Sequence, residues 1–358
     1  MPDLALALEI DGYDVKGWQS IQIQRSLDDA VDSFEAALTS PLSSAPPKDG
    51  RPWPGDRFRV KYDGALMITG YLDEVDESSD ASSFNLRVSG RSRAKDLVDC
   101  SALHKGAWRH MTLDEIAASL AEPFGLTVTT DIQGLPLEKY FALADGETAF
   151  DAMDRLVRDH ALRLVSLPSG DLLMTRTGLL RFPDVVIERG VNVISGGIRR
   201  SEAERHSSYI YKTQLAATDL AYGTDNSVKY EVADAGVDRY RPLIVHAANQ
   251  RGAAALKVRA EWERNTRAGR AEQLSYKVLY PGAVSRSWEM PAGKGLWAPN
   301  VVVTVRDAAH AIEGEYLVTA VTLTRSTTRT ETQLELTAPE AYQPEKPPKK
   351  KKKGGTTF

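Results

Sequence analysis

The chain has 358 residues, of which 42% are hydrophobic and 26% charged. Its length calls for about two to four domains, and its composition is globular, which excludes a fibrous or wholly disordered chain. The net charge of −4 is uneven: Pro344 to Phe358 carries six lysines and one glutamate, a net +5, which leaves the body at about −9 and excludes a broad basic face for nucleic acid.

No apolar run reaches the length of a membrane span. The start, Met1-Pro2-Asp3-Leu4, has neither the basic nor the apolar segment of a signal peptide. With Cys100 as its one cysteine, the chain has no intrachain disulfide framework, and a reducing compartment is allowed.

Leu4, Leu6, Leu8 and Ile10 alternate as in a half-buried strand, and Asp11-Gly12 turns the chain. Ile21 and Ile23 alternate again, and Phe34 to Leu38 is the next strand. Ser40 to Pro54 reads as a proline-rich loop around Trp53. Arg57 to Tyr62 resumes alternation, Asp63-Gly64 makes a hairpin turn, and Met67 to Val75 and Phe84 to Val88 follow. Short strands at this spacing predict a sandwich or barrel over residues 1–99.

The pattern then changes. Thr112 and Glu115 form a capping box ahead of a helix, with Met111 and Ile116 placed to staple its entry. That helix runs to about Glu122, where Pro123 stops it. A second helix spans about Glu147 to Leu162, with Phe150, Met153, Leu156 and Val157 on its buried stripe. Leu162 to Val165 and Leu172 to Thr175 flank Pro168-Ser169-Gly170 as a hairpin. Residues 100–183 therefore read as a small α+β domain. Strands return from Asp184. A helix follows over Asn249 to Arg267, then a Gly/Pro-rich loop from Trp288 to Trp297. Val301 to Val305, Tyr316 to Thr324 and Thr332 to Thr337 are the last strands.

Two stretches match. Ile23-Gln24-Arg25-Ser26 leads to Ser33-Phe34, and Ile198-Arg199-Arg200-Ser201 leads at the same spacing to Ser208-Tyr209. Later strands echo the first domain in the same order: Gly70-Tyr71-Leu72 with Val75 against Glu315-Tyr316-Leu317 with Val321, and Phe84 to Val88 against Thr332 to Leu336. Repeats of this kind point to one β-module present twice. The second copy is expected to be split, over residues 184–212 and 298–340. Residues 213–297 are then an inserted α+β domain and 341–358 a disordered basic tail. The fold class is mainly β with α+β insertions. Arg25 and Arg200 are expected at equivalent places, each fixing a strand end rather than acting in catalysis.

Chemistry-bearing residues are sparse. Cys100, His104 and His110 match no closed zinc spacing and have no fourth ligand nearby, so no metal site is expected. His160, His206, His246 and His310 are scattered, and neither a His-Glu-x-x-His nor a Gly-x-Ser-x-Gly motif occurs. Asp73, Glu74, Asp76 and Glu77 read as a solvated hairpin rather than acid–base carboxylates. Gly293-Lys294-Gly295 lacks the frame of a phosphate loop and reads as a turn presenting Trp297. Trp297 is either a packing anchor or part of a subunit contact. Lys349, Lys350, Lys351, Lys352 and Lys353, with Lys346, are either a solubilising end or a tether that docks on an acidic partner. No catalytic or cofactor-binding residue is assigned.

Several segments carry a family resemblance. They are Gly17-Trp18 before Ser20-Ile21, Arg25-Ser26, Ser33-Phe34-Glu35, Gly70-Tyr71-Leu72-Asp73, Gly90-Arg91, and Asp96-Leu97-Val98-Asp99-Cys100. Arg239-Tyr240-Arg241-Pro242, Leu296-Trp297 with Pro299-Asn300, and the Lys/Gly-rich end complete the set. In this order, over nearly the whole chain, they resemble the Mu-like phage baseplate hub proteins, the gpP-like prophage tail family. The resemblance implies a structural homotrimer at the centre of a contractile-tail baseplate, with two tail-tube-like β-barrels and two smaller domains per chain. It implies contacts with the tail-tube, spike, tape-measure and wedge proteins, no cofactor and no membrane anchor. It places the protein in the virion tail, and in the host cytoplasm during assembly. An acidic body suits a lumen through which DNA passes without sticking. Two other readings compete: a tail-associated cell-wall hydrolase with carboxylates or His/Cys in residues 100–180, and a carbohydrate-binding β module of a receptor-binding fibre.

Overall fold

In a computed structural model of the chain, the alternating stretches become strands of one long sheet. The structure describes residues 6–343 except 16, 42–50, 63, 104–105, 215–226, 248–252, 279–288, 291–292 and 295–296. The lysine-rich tail, with Lys346 and Lys349 to Lys353, lies outside the described residues, as do His104 and Trp288.

The chain opens with β1 (Leu6–Ile10), β2 (Tyr13–Val15), β3 (Ser20–Ser26), β4 (Ser33–Pro41), β5 (Arg57–Tyr62), β6 (Ala65–Ser79) and β7 (Ser83–Ser92). They pair antiparallel in the order β3-β4-β7-β6-β5-β1-β2. Alternation decides which face is buried: Phe58, Val60 and Tyr62 of β5 and Phe84, Leu86 and Val88 of β7 all point into one core. Asp11 and Gly12, at φ 47° and 85°, make the two-residue turn between β1 and β2.

A separate core follows. It is built by α1 (Lys95–Asp99), β8 (Ala107–Trp108), β9 (Met111–Thr112), α2 (Leu113–Ala121), β10 (Val128–Thr130), β11 (Leu137–Glu138), β12 (Phe141–Ala142), α3 (Ala149–Arg158), β13 (Arg163–Ser166) and β14 (Leu172–Thr175). Thr112 and Glu115 cap α2 reciprocally, the Thr112 backbone N–H donating to Glu115 Oε2 at 2.8 Å. Met153, Leu156 and Val157 of α3 are fully buried, as its stripe predicts, while Phe150 is half-buried. Ala94 and Leu97 also pack here, so the chain has left the first sheet before residue 99.

The remaining elements are β15 (Leu180–Glu188), β16 (Val193–Arg200), β17 (Ser208–Gln214), β18 (Ser227–Ala233), β19 (Pro242–His246), α4 (Ala253–Arg270), β20 (Glu272–Val278), β21 (Glu289–Met290), β22 (Gly293–Lys294), β23 (Val301–Asp307), β24 (Ile312–Ser326) and β25 (Thr330–Thr337). A second strand set runs β16-β20-β25-β24-β23-β15, antiparallel except for β15 with β23. β17 lies between β18 and β19 in a three-stranded sheet, on which α4 packs Leu256 and Ala260.

Two segments lie in other sheets than the sequence reading gave them. Ser208-Tyr209 opens β17 in the small sheet, and β20, read as inserted, belongs to the large one. The cause is the ambiguity of period-2 patterning, which reports that a strand is half-buried but not what buries it. Tyr209 and Tyr211 are buried against α4, while Leu274, Tyr276 and Val278 are buried in the large core.

The architecture is mainly β with small helical parts. Among the described residues it holds no closed barrel; both strand sets are parts of a single 13-stranded sheet. In the first set β2 and β3 do not pair. The Trp18 ring N–H donates to the Val15 carbonyl at 2.9 Å, and a cleft of about 410 Å³ lined by Leu8, Val15, Trp18, Ile21 and Arg325 lies between these strands.

Candidate assembly surface

The two strand sets can be matched residue by residue through their pairing. Val88 of β7 pairs with Val75 and Ala36; Leu334 of β25 pairs with Val321 and Tyr276. Ile23 pairs with Phe34, and Ile198 with Leu274. Followed along the register, Ile23-x-Arg25-Ser26 and Ile198-x-Arg200-Ser201 fall on corresponding strands at corresponding positions. Each arginine also reaches a carboxylate on the neighbouring strand's side: Arg25 Nε lies 3.0 Å from Asp32, and Arg200 Nε lies 3.3 Å from Glu272.

The strands β6 and β24 correspond as well. Both have 15 residues, and both shift register near the middle, between Leu72 and Glu74 and between Val318 and Ala320. The first half of each pairs with the preceding strand of its set, β5 or β23. The second half of β24 pairs antiparallel with β3, placing Val321 opposite Arg25 and Leu323 opposite Ile23. This joint connects the second β unit head to tail with the first.

Each unit keeps one half of that joint open. Among the described residues, the second half of β6 has β7 on one side and no paired strand on the other; β16 has only β20 along Ser195–Arg200. The short β21–β22 hairpin comes near β6 without pairing with it. Burial follows the joint. Val321 and Ile23 are 3% and 1% exposed, whereas their counterparts Val75 and Ile198 are only half-buried.

Charged knots fix the small α+β domain and the C-terminal end against the joint. Asp28 receives Arg163 at 3.0 Å, Arg270 at 2.8 Å and the Tyr342 hydroxyl at 2.9 Å. Burial pushes the Asp28 carboxyl up, but Arg163 and Arg270 outweigh it and hold it below the usual range. Burial likewise pushes the Tyr342 hydroxyl far up. The buried Asp32 is raised by desolvation despite Arg25, whose guanidinium also donates to the Ser166 carbonyl at 3.1 Å. In the second unit Asp307, fully buried, accepts from Arg189 at 2.7 and 2.9 Å and from the Tyr276 hydroxyl at 2.8 Å. The Arg189 hydrogen bonds hold the Asp307 carboxyl well below its ordinary value.

Trp297 is 2% exposed and sits in the large core, where a packing anchor belongs. Cys100 is free and exposed, and the described residues contain no cluster of His, Cys, Asp and Glu arranged to hold a metal ion. The acidic run is only partly solvated: Asp73 is 2.7 Å from both Arg91 and Lys95, Glu77 is 2.6 Å from Arg51, and Glu74 and Asp76 are exposed. Sequence reading gave Asp28, Asp32 and Asp307 no role. No local spacing marks Asp28, because its partners lie 135, 242 and 314 residues away.

Residues 5–92 match the N-terminal domain of the Mu phage baseplate assembly protein GpP-like family. Residues 94–176 match the second domain of the baseplate hub protein gp44-like family, and residues 252–345 the fourth domain of GpP. The baseplate hub protein gp44 of Escherichia phage Mu is 29% identical over 333 residues, covering 89% of this chain and 83% of that one. The chain belongs to the Mu-like baseplate hub family. Its fold is that of the 43 kDa tail protein of prophage MuSo2 from Shewanella oneidensis, with a TM-score of 0.79 at 28% identity over 94% of this chain and 98% of that one. A tail protein from Neisseria meningitidis MC58 shares the fold at a TM-score of 0.77 and 22% identity, over 96% and 99% of the two chains. As a member of the hub family the chain is a structural protein of a phage-type tail baseplate.

Proposed function

We propose that three copies of this chain form the central hub of a contractile-tail baseplate and adapt a sixfold tail tube to a threefold spike. The observation that carries this reading is the internal match of the two β units in strand order and register. A threefold assembly meets a sixfold ring through near-identical surfaces only if each chain supplies two of them. The tube protein then contacts one side of the ring and the spike the other. Wedge and tape-measure proteins bind the periphery and the axis, and DNA passes through an acidic lumen.

The chain acts here as a scaffold rather than an enzyme. Its buried carboxylates are held by arginines that tie elements together, as at Asp28 and Asp307. Light scattering on the full chain, alone and with its spike, tests the reading. A mass of three chains is expected; a chain that stays monomeric in both conditions contradicts it. Clearing of peptidoglycan by the purified chain in a zymogram contradicts the scaffold role.

A further inference from the structure

We propose that the lysine-rich C-terminal segment of this chain docks into an acidic cleft of the same chain, between the second β unit and the small three-stranded sheet. The cleft has a volume of about 860 Å³. The end of β16, the turn after β18, the end of α4, the start of β24 and the stretch after β25 meet around it. The contact lies within one chain and holds whether or not three chains assemble.

Carboxylates dominate the cleft: Glu202, Asp238, Glu272, Glu313, Glu315 and Glu340 line it. Two arginines line it as well, and both are engaged. Arg200 Nε lies 3.3 Å from Glu272, and Arg205 donates to Asp234 at 2.6 and 2.8 Å. Among the described residues, Asp238, Glu313 and Glu340 have no cationic partner. The walls are fixed in place. Asp234 also accepts the Gly236 N–H at 2.9 Å, which holds the turn that carries Asp238. The Thr337 hydroxyl donates to the Gly269 carbonyl at 2.7 Å, which holds the stretch that carries Glu340. Like charges gathered in one cleft repel, and a cationic segment placed among them relieves this. The small residues Ala268, Gly269 and Ala271 leave room for the apolar stems of lysines, whose charged ends then reach the carboxylates.

The occupant that fits is residues 344–358, with their net charge of +5. Ala338, Pro339 and Glu340 line the cleft, so this segment begins beside it. Gln343, three residues on, accepts from the Asn265 side chain and donates to the Thr177 carbonyl at 3.4 Å. Three residues of chain span at most about 10 Å, whereas the six from Gln343 to Lys349 span up to about 20 Å. The lysines at 349–353 therefore reach back to the carboxylates. A short tether holds them at a local concentration on the order of millimolar, so exposed ion pairs that are weak one by one suffice together. The docked segment ties the small sheet to the second β unit and closes the cleft to other basic chains.

The test is zero-length carbodiimide cross-linking of the full chain, mapped by mass spectrometry on light and isotope-labelled copies equilibrated together. Links are expected from the lysines at 349–353 to Asp238, Glu313 or Glu340 within copies of one label, reduced roughly fivefold at about 0.5 M salt. In a second measurement, a synthetic peptide of residues 344–358 is titrated by fluorescence anisotropy against the full chain and against K349S/K350S/K351S/K352S/K353S. It is expected to bind the variant about tenfold more tightly, because the chain's own lysines no longer compete. Adding D238N/E313Q/E340Q, at exposed or half-buried positions, is expected to remove that gain. Equal peptide binding by all three proteins, links to carboxylates outside the cleft, or links between differently labelled copies overturn the docking. The mass of the assembly tests the hub reading separately.

Discussion

In the first β unit Phe58 pairs with Gly70, and at the matching place in the second unit Val303 pairs with Tyr316. Gly90 pairs with Phe34 and Leu72, where Leu336 pairs with Leu274 and Val318. The first unit puts its bulk into Phe34 and Phe58, whose ring centroids lie 4.1 Å apart, and uses two glycines to admit them. The second unit spreads the volume over Leu274, Val303, Tyr316 and Leu336. Both fill one kind of interior, because a core constrains total volume and patterning more than identity at each position. The ladder positions persist while the residues at them change. The arginines differ for another reason. Arg25 is covered by β24 and its side chain is 4% exposed; Arg200 lies on an open edge and is 60% exposed.

The sharpest way to break this comparison is Arg25→Ala. It leaves Asp32 buried without its cation, and a loss of about 3–5 kcal/mol is expected in denaturant unfolding. Gly70→Ala comes next. A methyl group there overlaps the Arg91 carbonyl oxygen and meets the Phe58 ring at 2.9 Å, so a loss of about 1–3 kcal/mol is expected. The matching residue Tyr316 already carries a large side chain, and Tyr316→Phe should leave stability almost unchanged.

Acid acts on the knot at Asp28. Its carboxyl is depressed in the folded chain, so its contribution is fully present above the unfolded value near 4 and is lost as pH falls through the carboxylate range toward the depressed value. The measurement is unfolding stability against pH; Asp28→Asn should lower stability at pH 7 and flatten the decline below about pH 4. Arg200→Ala is the smallest effect on the single chain, within about 0.5 kcal/mol, because its pair with Glu272 is exposed.

Local signals in the sequence translated directly. The Thr112–Glu115 capping box, the stripe of α3, the hairpin around Pro168-Ser169-Gly170 and the Asp11-Gly12 turn all appear as read, because each is decided within a few residues. The Ile-x-Arg-Ser pair marked corresponding strands, but its extension to Ser208-Tyr209 did not, since β20 follows β16 in the sheet only after residues 201–271. The candidate surface was legible only in part. The acidic run and Arg199-Arg200 were visible as charges, but that they lie on open edges follows from pairing between distant strands. Trp297 drew notice as an aromatic in a loop, and its burial depends on strands on either side of it in sequence.

The most direct test of the central claim is an image of the assembled particle by electron microscopy, averaged without imposed symmetry. The expected result is a ring of three chains in which six β units stand around one axis at near-equal spacing. Three separate lobes, or first and second units at different radii, would contradict it.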